Sequence, residues 1–185
     1  METYVYLVRH AHSEYTPDEL GRPLSETGRE YAQKAAALLL AEGADIVVSS
    51  PFKRAVETVE GATAGAGAAI ILDEGFAERK LAEGFVEDFQ EAVRKVWSDE
   101  SFAWPGGESN LEARHRGVQA LKRIIERFPG KRIAIGTHGN LMALIISHYD
   151  ARYGWDFWRG LKMPDIYCLT FRGEDCIGIH RIWKD

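Results

Sequence analysis

The chain has 185 residues, 45% of them hydrophobic and 28% charged, with a formal net charge of -5 at pH 7. That size suits one domain that can bury a core without disulfides or structural metal, and the acidic balance argues against general binding to nucleic acid or an anionic membrane. The N-terminus lacks a basic stretch leading into a long apolar core, and no apolar run approaches the roughly 20 residues that span a bilayer. The expected compartment is therefore the cytoplasm. Cys168 and Cys176 follow no CxxC or zinc pattern and are expected as reduced thiols, not a cross-strand disulfide.

Taken in chain order, strand-like and helix-like segments alternate. Tyr4 to Val8 is a β-branched and aromatic run ending abruptly at Arg9-His10. Thr27 and Glu30 then have capping-box spacing for a helix reaching about Glu42, which Gly43 stops. Asp45 to Val48 reads as a buried strand closing on Ser49-Ser50, and Pro51 suits the first turn of the helix behind it. Ile70 to Leu72 is a third, shorter strand. Between Asp73 and Gly107 the pattern loosens, and Phe85, Phe89, Val93 and Val96-Trp97 fit one amphipathic helix.

Ser109 and Glu112 make a second capping box before an apolar stripe at Leu111, Val118, Leu121, Ile125 and Phe128, which Pro129-Gly130 ends. Arg132 to Ile135 is a fourth strand, closing on Gly136-Thr137-His138-Gly139, and an apolar helix follows from about Leu141 to His148. Two last runs, about Ile166 to Phe171 and Cys176 to Trp183, read as a hairpin around Gly173-Glu174-Asp175. Strands separated by helices predict an α/β fold, a three-layer sandwich with a mostly parallel central sheet covered by helices on both faces. With no repeat and no linker, residues 1–185 read as a single domain.

In open α/β sheets, ligands bind beyond the carboxyl ends of the strands. Here the first strand ends in Arg9-His10, the second leads to Ser49-Ser50 and Arg54, and the fourth ends in His138. If these strands are parallel, two histidines and two arginines gather at one sheet edge. Arginines with a helix N-terminus make an anion site suited to phosphate, and a histidine there can be a nucleophile or a general acid and base.

These residues carry a resemblance. Leu7-Val8-Arg9-His10-Ala11 resembles the Arg-His-Gly motif of the histidine phosphatase superfamily, the phosphoglycerate mutase-like group. Leu24-Ser25-Glu26-Thr27-Gly28, Ser49-Ser50-Pro51-Phe52-Lys53-Arg54-Ala55, Gly106-Gly107-Glu108-Ser109 and Thr137-His138-Gly139 are similar, in order and content, to four further motifs of that family. The resemblance implies a metal-independent phosphomonoester hydrolase that acts on a small phosphorylated metabolite through a phosphohistidine intermediate, with no cofactor. It makes His10 the nucleophile, with Arg9, Arg54 and His138 holding the phosphoryl oxygens and Ser13 and Thr16 donating to them. It also implies a carboxylic proton donor after the third strand. Phe76-Ala77-Glu78-Arg79-Lys80-Leu81 matches that segment loosely, so Glu78 is the expected donor and Glu83 the reserve. Residues 79–107 are expected to form a cap over the site.

Two positions depart from the family pattern: Ala11 stands where glycine is usual, and Thr16 where many members carry asparagine. His12, His115, His148 and His180 are read as exposed or structural. Glu108-Ser109 either cap a helix or join the site, and Trp97, Phe102 and Trp104 either roof the pocket or pack. Arg22, Arg79 and Lys80 are placed to meet a second acidic group on a substrate, or only water. The alternatives are a phosphoglycerate mutase, which His138-Gly139-Asn140 resembles, and a non-catalytic phosphate-binding module. The oligomeric state is left open.

Overall fold

The computed structural model describes residues 1–67, 69–84 and 86–184. Strand β1 (Glu2–Arg9) leads through helix α1 (Glu26–Ala41) to β2 (Ile46–Ser49), α2 (Lys53–Val59), α3 (Thr63–Ala66) and β3 (Ile71–Leu72). Helices α4 (Phe89–Ser98) and α5 (Asn110–Arg127) precede β4 (Arg132–Thr137), α6 (Gly139–Tyr149) and α7 (Trp155–Gly160). The hairpin of β5 (Asp165–Arg172) and β6 (Asp175–Arg181) completes a six-stranded sheet of order β3-β2-β4-β1-β5-β6. Strands β3, β2, β4 and β1 pair in parallel, while β5 runs antiparallel to both β1 and β6.

Alternation along β1 creates the layers. Val5 and Leu7 pack with Leu121, Leu141 and Ile145 of α5 and α6, whereas Tyr6 and Val8 pack with Ala35 and Leu39 of α1. Each such buried aliphatic side chain contributes roughly 1.5–3 kcal/mol of transfer free energy. The α/β fold with a mostly parallel sheet is as the sequence predicts. Cys168 and Cys176 are free thiols. Among the described residues, no helix is long and apolar enough to cross a membrane.

Several local expectations are corrected. The cap of α1 is Ser25, whose Oγ accepts the Gly28 N–H, two residues ahead of Thr27. Ser25 wins because its own N–H, bonded to the His12 carbonyl at 3.0 Å, already holds it at the helix start. Helix α2 begins at Lys53, after Pro51. The Ser109–Glu112 capping box forms, but Leu111 of the apolar stripe is exposed. Phe89 is exposed at the start of α4, and Phe85 lies outside the described residues. Helix α7, with no fully buried residue, carried too weak a periodicity to be read from the sequence.

Candidate active site

Parallel registration of β1, β4 and β2 brings the strand ends together. Arg9 lies opposite Thr137, and the His10 N–H donates to the Thr137 carbonyl at 3.0 Å, so His10 follows the ladder beside His138. The Ser50 N–H donates to the Gly136 carbonyl at 2.8 Å, which brings the second loop to the same edge. The His10 and His138 rings stand 5.2 Å apart, centroid to centroid, in a tilted edge contact. Gly139 lies close under Arg9, since a Cβ there would sit 3.0 Å from Arg9 Nε and would need the guanidinium to shift.

The two ring nitrogens of His10 have different partners. Its Nδ1 lies 2.7 Å from the Ala11 carbonyl oxygen, an acceptor only, so Nδ1 carries the proton and Nε2 the lone pair. Arg54 Nε donates to that lone pair at 3.3 Å. Burial above all, with the charges of Arg54, Arg9 and Arg22 behind it, pushes the imidazole down to about 3 against the opposing pull of the Ala11 carbonyl. The ring is thus neutral at physiological pH. Ala11 needs no unusual backbone: among the described residues no non-glycine has positive φ, and its N–H donates to Thr58 Oγ1 at 3.0 Å.

The cations around His10 are individually anchored. Arg9 Nη1 donates to the carbonyls of Leu161 and Lys162 at 2.8 and 3.1 Å, and its buried Nε has no partner. Arg54 Nη1 donates to the Glu19 carbonyl at 2.7 Å, and Nη2 pairs with the Glu19 carboxylate at 3.3 Å. Arg22 meets the same carboxylate and keeps a buried Nε without a partner. His138 is fully buried. Its Nε2 lies 2.8 Å from Ser50 Oγ, which leaves Nδ1 unpartnered, and burial together with His10 and Arg54 holds the ring well below the usual histidine range.

Glu78 comes to the same edge from the turn after β3. Its Oε1 accepts the N–H groups of Arg79 at 2.9 Å and Leu141 at 3.0 Å, and Oε2 accepts that of Asn140 at 3.1 Å. The carboxyl group therefore sits on the first turn of α6, directly after His138. Glu83 is exposed and packs against Gly106, and no hydrogen bond joins it to this group. Thr16 Oγ1 donates to the Asp18 carbonyl at 3.0 Å, and Ser13 forms a backbone bridge with Leu24. Among the described residues, neither hydroxyl is hydrogen-bonded to His10, Arg9, Arg54 or His138.

Ser50, Thr58 and Glu19 are site neighbours whose roles sequence patterns did not assign, and Arg22, read as facing a second acidic group or only water, pairs with Glu19. His12, His115, His148 and His180 are exposed, as read from the sequence. The aromatic group divides. Phe102 and Trp104 pack together with α4, while Trp97 Nε1 donates to Asn140 Oδ1 at 3.2 Å and Trp97 stacks on Trp158 of α7.

The buried neutral histidines have a measurable consequence. Unfolded, an imidazole takes up a proton near pH 6.5, whereas folded His10 does so only near about 3. Between these values the unfolded chain binds more protons, so stability falls as the pH drops. Melting curves between pH 7 and 5 are expected to show a declining Tm, worth up to about 1.4 kcal/mol per pH unit for each such histidine. His10→Asn should make that decline shallower, and an unchanged slope would contradict the assignment.

The model of the histidine phosphatase superfamily (branch 1) matches residues 5–177. A probable phosphoglycerate mutase GpmB of Cronobacter sakazakii is 28% identical over 157 residues, covering 77% of this chain and 73% of the relative. Phosphoserine phosphatase 1 of Hydrogenobacter thermophilus is 29% identical over 158 residues, covering 77% and 69% respectively. The solved mycobacterial glucosyl-3-phosphoglycerate phosphatase shares the fold with a TM-score of 0.78 at 20% identity, covering 98% of each chain. By its sequence and its fold, this chain belongs to the histidine phosphatase superfamily.

Proposed function

We propose that the chain hydrolyses small phosphomonoesters without a metal, through a phosphohistidine formed on His10. The observation that carries this reading is the set of buried donors lacking partners, Arg9 Nε, Arg22 Nε and His138 Nδ1, grouped with Arg54 around a neutral imidazole. Buried unpaired donors are costly and call for an explanation, which a tetrahedral oxyanion provides. In the first step Nε2 attacks phosphorus and the ester P–O bond breaks. Arg54 turns from Nε2 to a phosphoryl oxygen, Arg9 and His138 Nδ1 take others, and the incoming group displaces Glu19. Glu78, entering as the acid, gives its proton to the departing alkoxide. Water then attacks phosphorus and returns a proton to Glu78 as the P–N bond breaks, restoring His10 and releasing phosphate. Positioned cations suffice here, because phosphoryl transfer depends mainly on alignment and on stabilising equatorial charge. Ser13 and Thr16 are assigned as further phosphate donors.

Arg79 extends the reading to the leaving group. It is 4% exposed, donates to Asn140 Oδ1 at 3.3 Å, and keeps Nε and Nη1 buried and unpartnered beside Glu78. A guanidinium so placed suits a second acidic group on the substrate. Segment 79–107 would cap it, with Trp97 closing on Asn140. The related phosphatases named for phosphoserine and glucosyl-3-phosphoglycerate fit that class. With EDTA present, phosphate release is expected from phosphorylated organic acids in preference to neutral phosphate esters, and Arg79→Met should erase the preference by raising KM for the acids about tenfold or more. No release from any phosphomonoester would refute the hydrolase. The mutase alternative draws on His138-Gly139-Asn140 and on the relatives with mutase names. It predicts interconversion of phosphoglycerates faster than phosphate release in the same assay.

A further inference from the structure

We infer that Arg116 and Glu108 form a positioning clamp for the leaving-group acid, an inference that rests on Glu78 being that acid. Arg116 lies on α5 and grips in two directions. Its Nε and Nη2 each donate to one carboxylate oxygen of Glu108 at 2.8 Å. Its Nη1 donates to the carbonyls of Gly75 at 2.9 Å and Ala77 at 3.0 Å, and reaches that of Glu74 at 3.3 Å. Those carbonyls belong to the 3-10 turn Glu74–Phe76 and to the residue immediately before Glu78. Thr137 Oγ1 holds the remaining carbonyl of that turn, on Phe76, at 2.9 Å.

Glu78 is therefore suspended between two helices. Its carboxyl group is seated on the first N–H groups of α6, and the backbone leading into it is tied to α5 through one guanidinium. A lysine could not make the same ties, because its single ammonium cannot chelate a carboxylate and reach separate carbonyls in fixed directions. The pair is only partly exposed, at 28% for Arg116 and 23% for Glu108, so water competes weakly with these bonds.

The Gly106-Gly107-Glu108-Ser109 stretch acquires a mechanical meaning from this arrangement. Ser109 caps α5. The Glu108 N–H donates to the Lys80 carbonyl at 2.8 Å, binding the stretch to the chain just beyond Glu78 and Arg79. Gly107 must be glycine, since a Cβ there would lie 2.2 Å from the Leu81 carbonyl oxygen. Glu108 thus fixes Arg116, Arg116 fixes the 74–77 turn, and the turn fixes the origin of the Glu78 side chain. Arg116 and Glu108 act on the turn and not on the reacting atoms.

The experiment compares kcat/KM for an alkyl phosphate, glycerol 3-phosphate, with that for p-nitrophenyl phosphate, whose leaving group departs without a proton. It does so in wild type, Arg116→Gln, Arg116→Lys and Glu78→Gln. Loss of the clamp should lower kcat/KM for the alkyl ester about 10- to 100-fold, the scale of a small misplacement of an acid catalyst. The aryl ester should change less than about threefold. Arg116→Lys keeps a cation without the fork, so it should show a smaller split, and it keeps the question answerable if Arg116→Gln does not fold. A purely structural role would lower both esters together. Equal losses in the Arg116 variants beside a clear split in Glu78→Gln would overturn the clamp and leave Glu78 as the donor. No split in Glu78→Gln would remove the donor assignment and the clamp with it.

Discussion

His10→Ala is expected to lower kcat/KM on the order of 10⁴-fold or more while the protein still folds and binds phosphate weakly. That is the scale on which removal of a covalent nucleophile acts. Folding should survive because His10 is absent from the apolar clusters that join the helices to the sheet. Its polar contacts are with the Ala11 carbonyl and Arg54, and its ring contact is with His138. Removing a neutral buried imidazole leaves no buried charge unpaired, since Arg54 retains Glu19. Steady-state assays beside circular dichroism and a phosphate titration separate the outcomes. Retained turnover in a folded His10→Ala protein would require another nucleophile.

Arg54→Met should cost roughly 10²- to 10³-fold in kcat/KM, the range for loss of one preorganised donor at developing negative charge. The side chain is 5% exposed, is hydrogen-bonded to His10 Nε2, and packs against Phe52 with its guanidinium carbon 4.9 Å from the ring centroid. Methionine preserves much of that packing and removes the donors, so the loss should appear in catalysis and phosphate affinity more than in Tm. Arg54→Lys should recover little, because a point charge cannot present the fork that a phosphoryl group and Nε2 share in turn. A variant with wild-type kcat/KM would show that Arg54 serves only the 14–22 loop through Glu19.

The parts legible in the sequence were those whose physics is local. A β-branched and aromatic run ending in charge marked β1, an apolar run closing on Gly136-Thr137-His138-Gly139 marked β4, and parallel pairing of those strands followed from the helical segments between them. His10 and His138 could therefore be brought to one edge before any distance was known. What was hidden depends on side-chain contacts between distant segments. Ser50 reaches His138 across 88 positions, and Thr58 reaches Ala11 across 47. Neither spacing carries a periodic signal. Arg116 sits on a helix rich in charged residues, where the ordinary reading is a solvated surface arginine; only the fold reveals that three carbonyls converge on it. The Thr27–Glu30 spacing was a decoy, because a cap is decided by which residue the preceding loop holds in extended geometry, and the His12 carbonyl selects Ser25. Glu19 and Arg22 lie in a loop without regular pattern, so their meeting over Arg54 could not be read from order alone.

Trapping a covalent phosphate on His10 Nε2 tests the phosphohistidine step itself. Wild-type protein would be mixed with p-nitrophenyl phosphate for milliseconds, quenched in alkali, where phosphohistidine survives, and digested for mass spectrometry. A phosphate stable in base and labile in acid is expected on the peptide containing His10, appearing with the burst of p-nitrophenol and absent from His10→Ala. Turnover without any phosphorylated peptide, or with the phosphate on another residue, would contradict it.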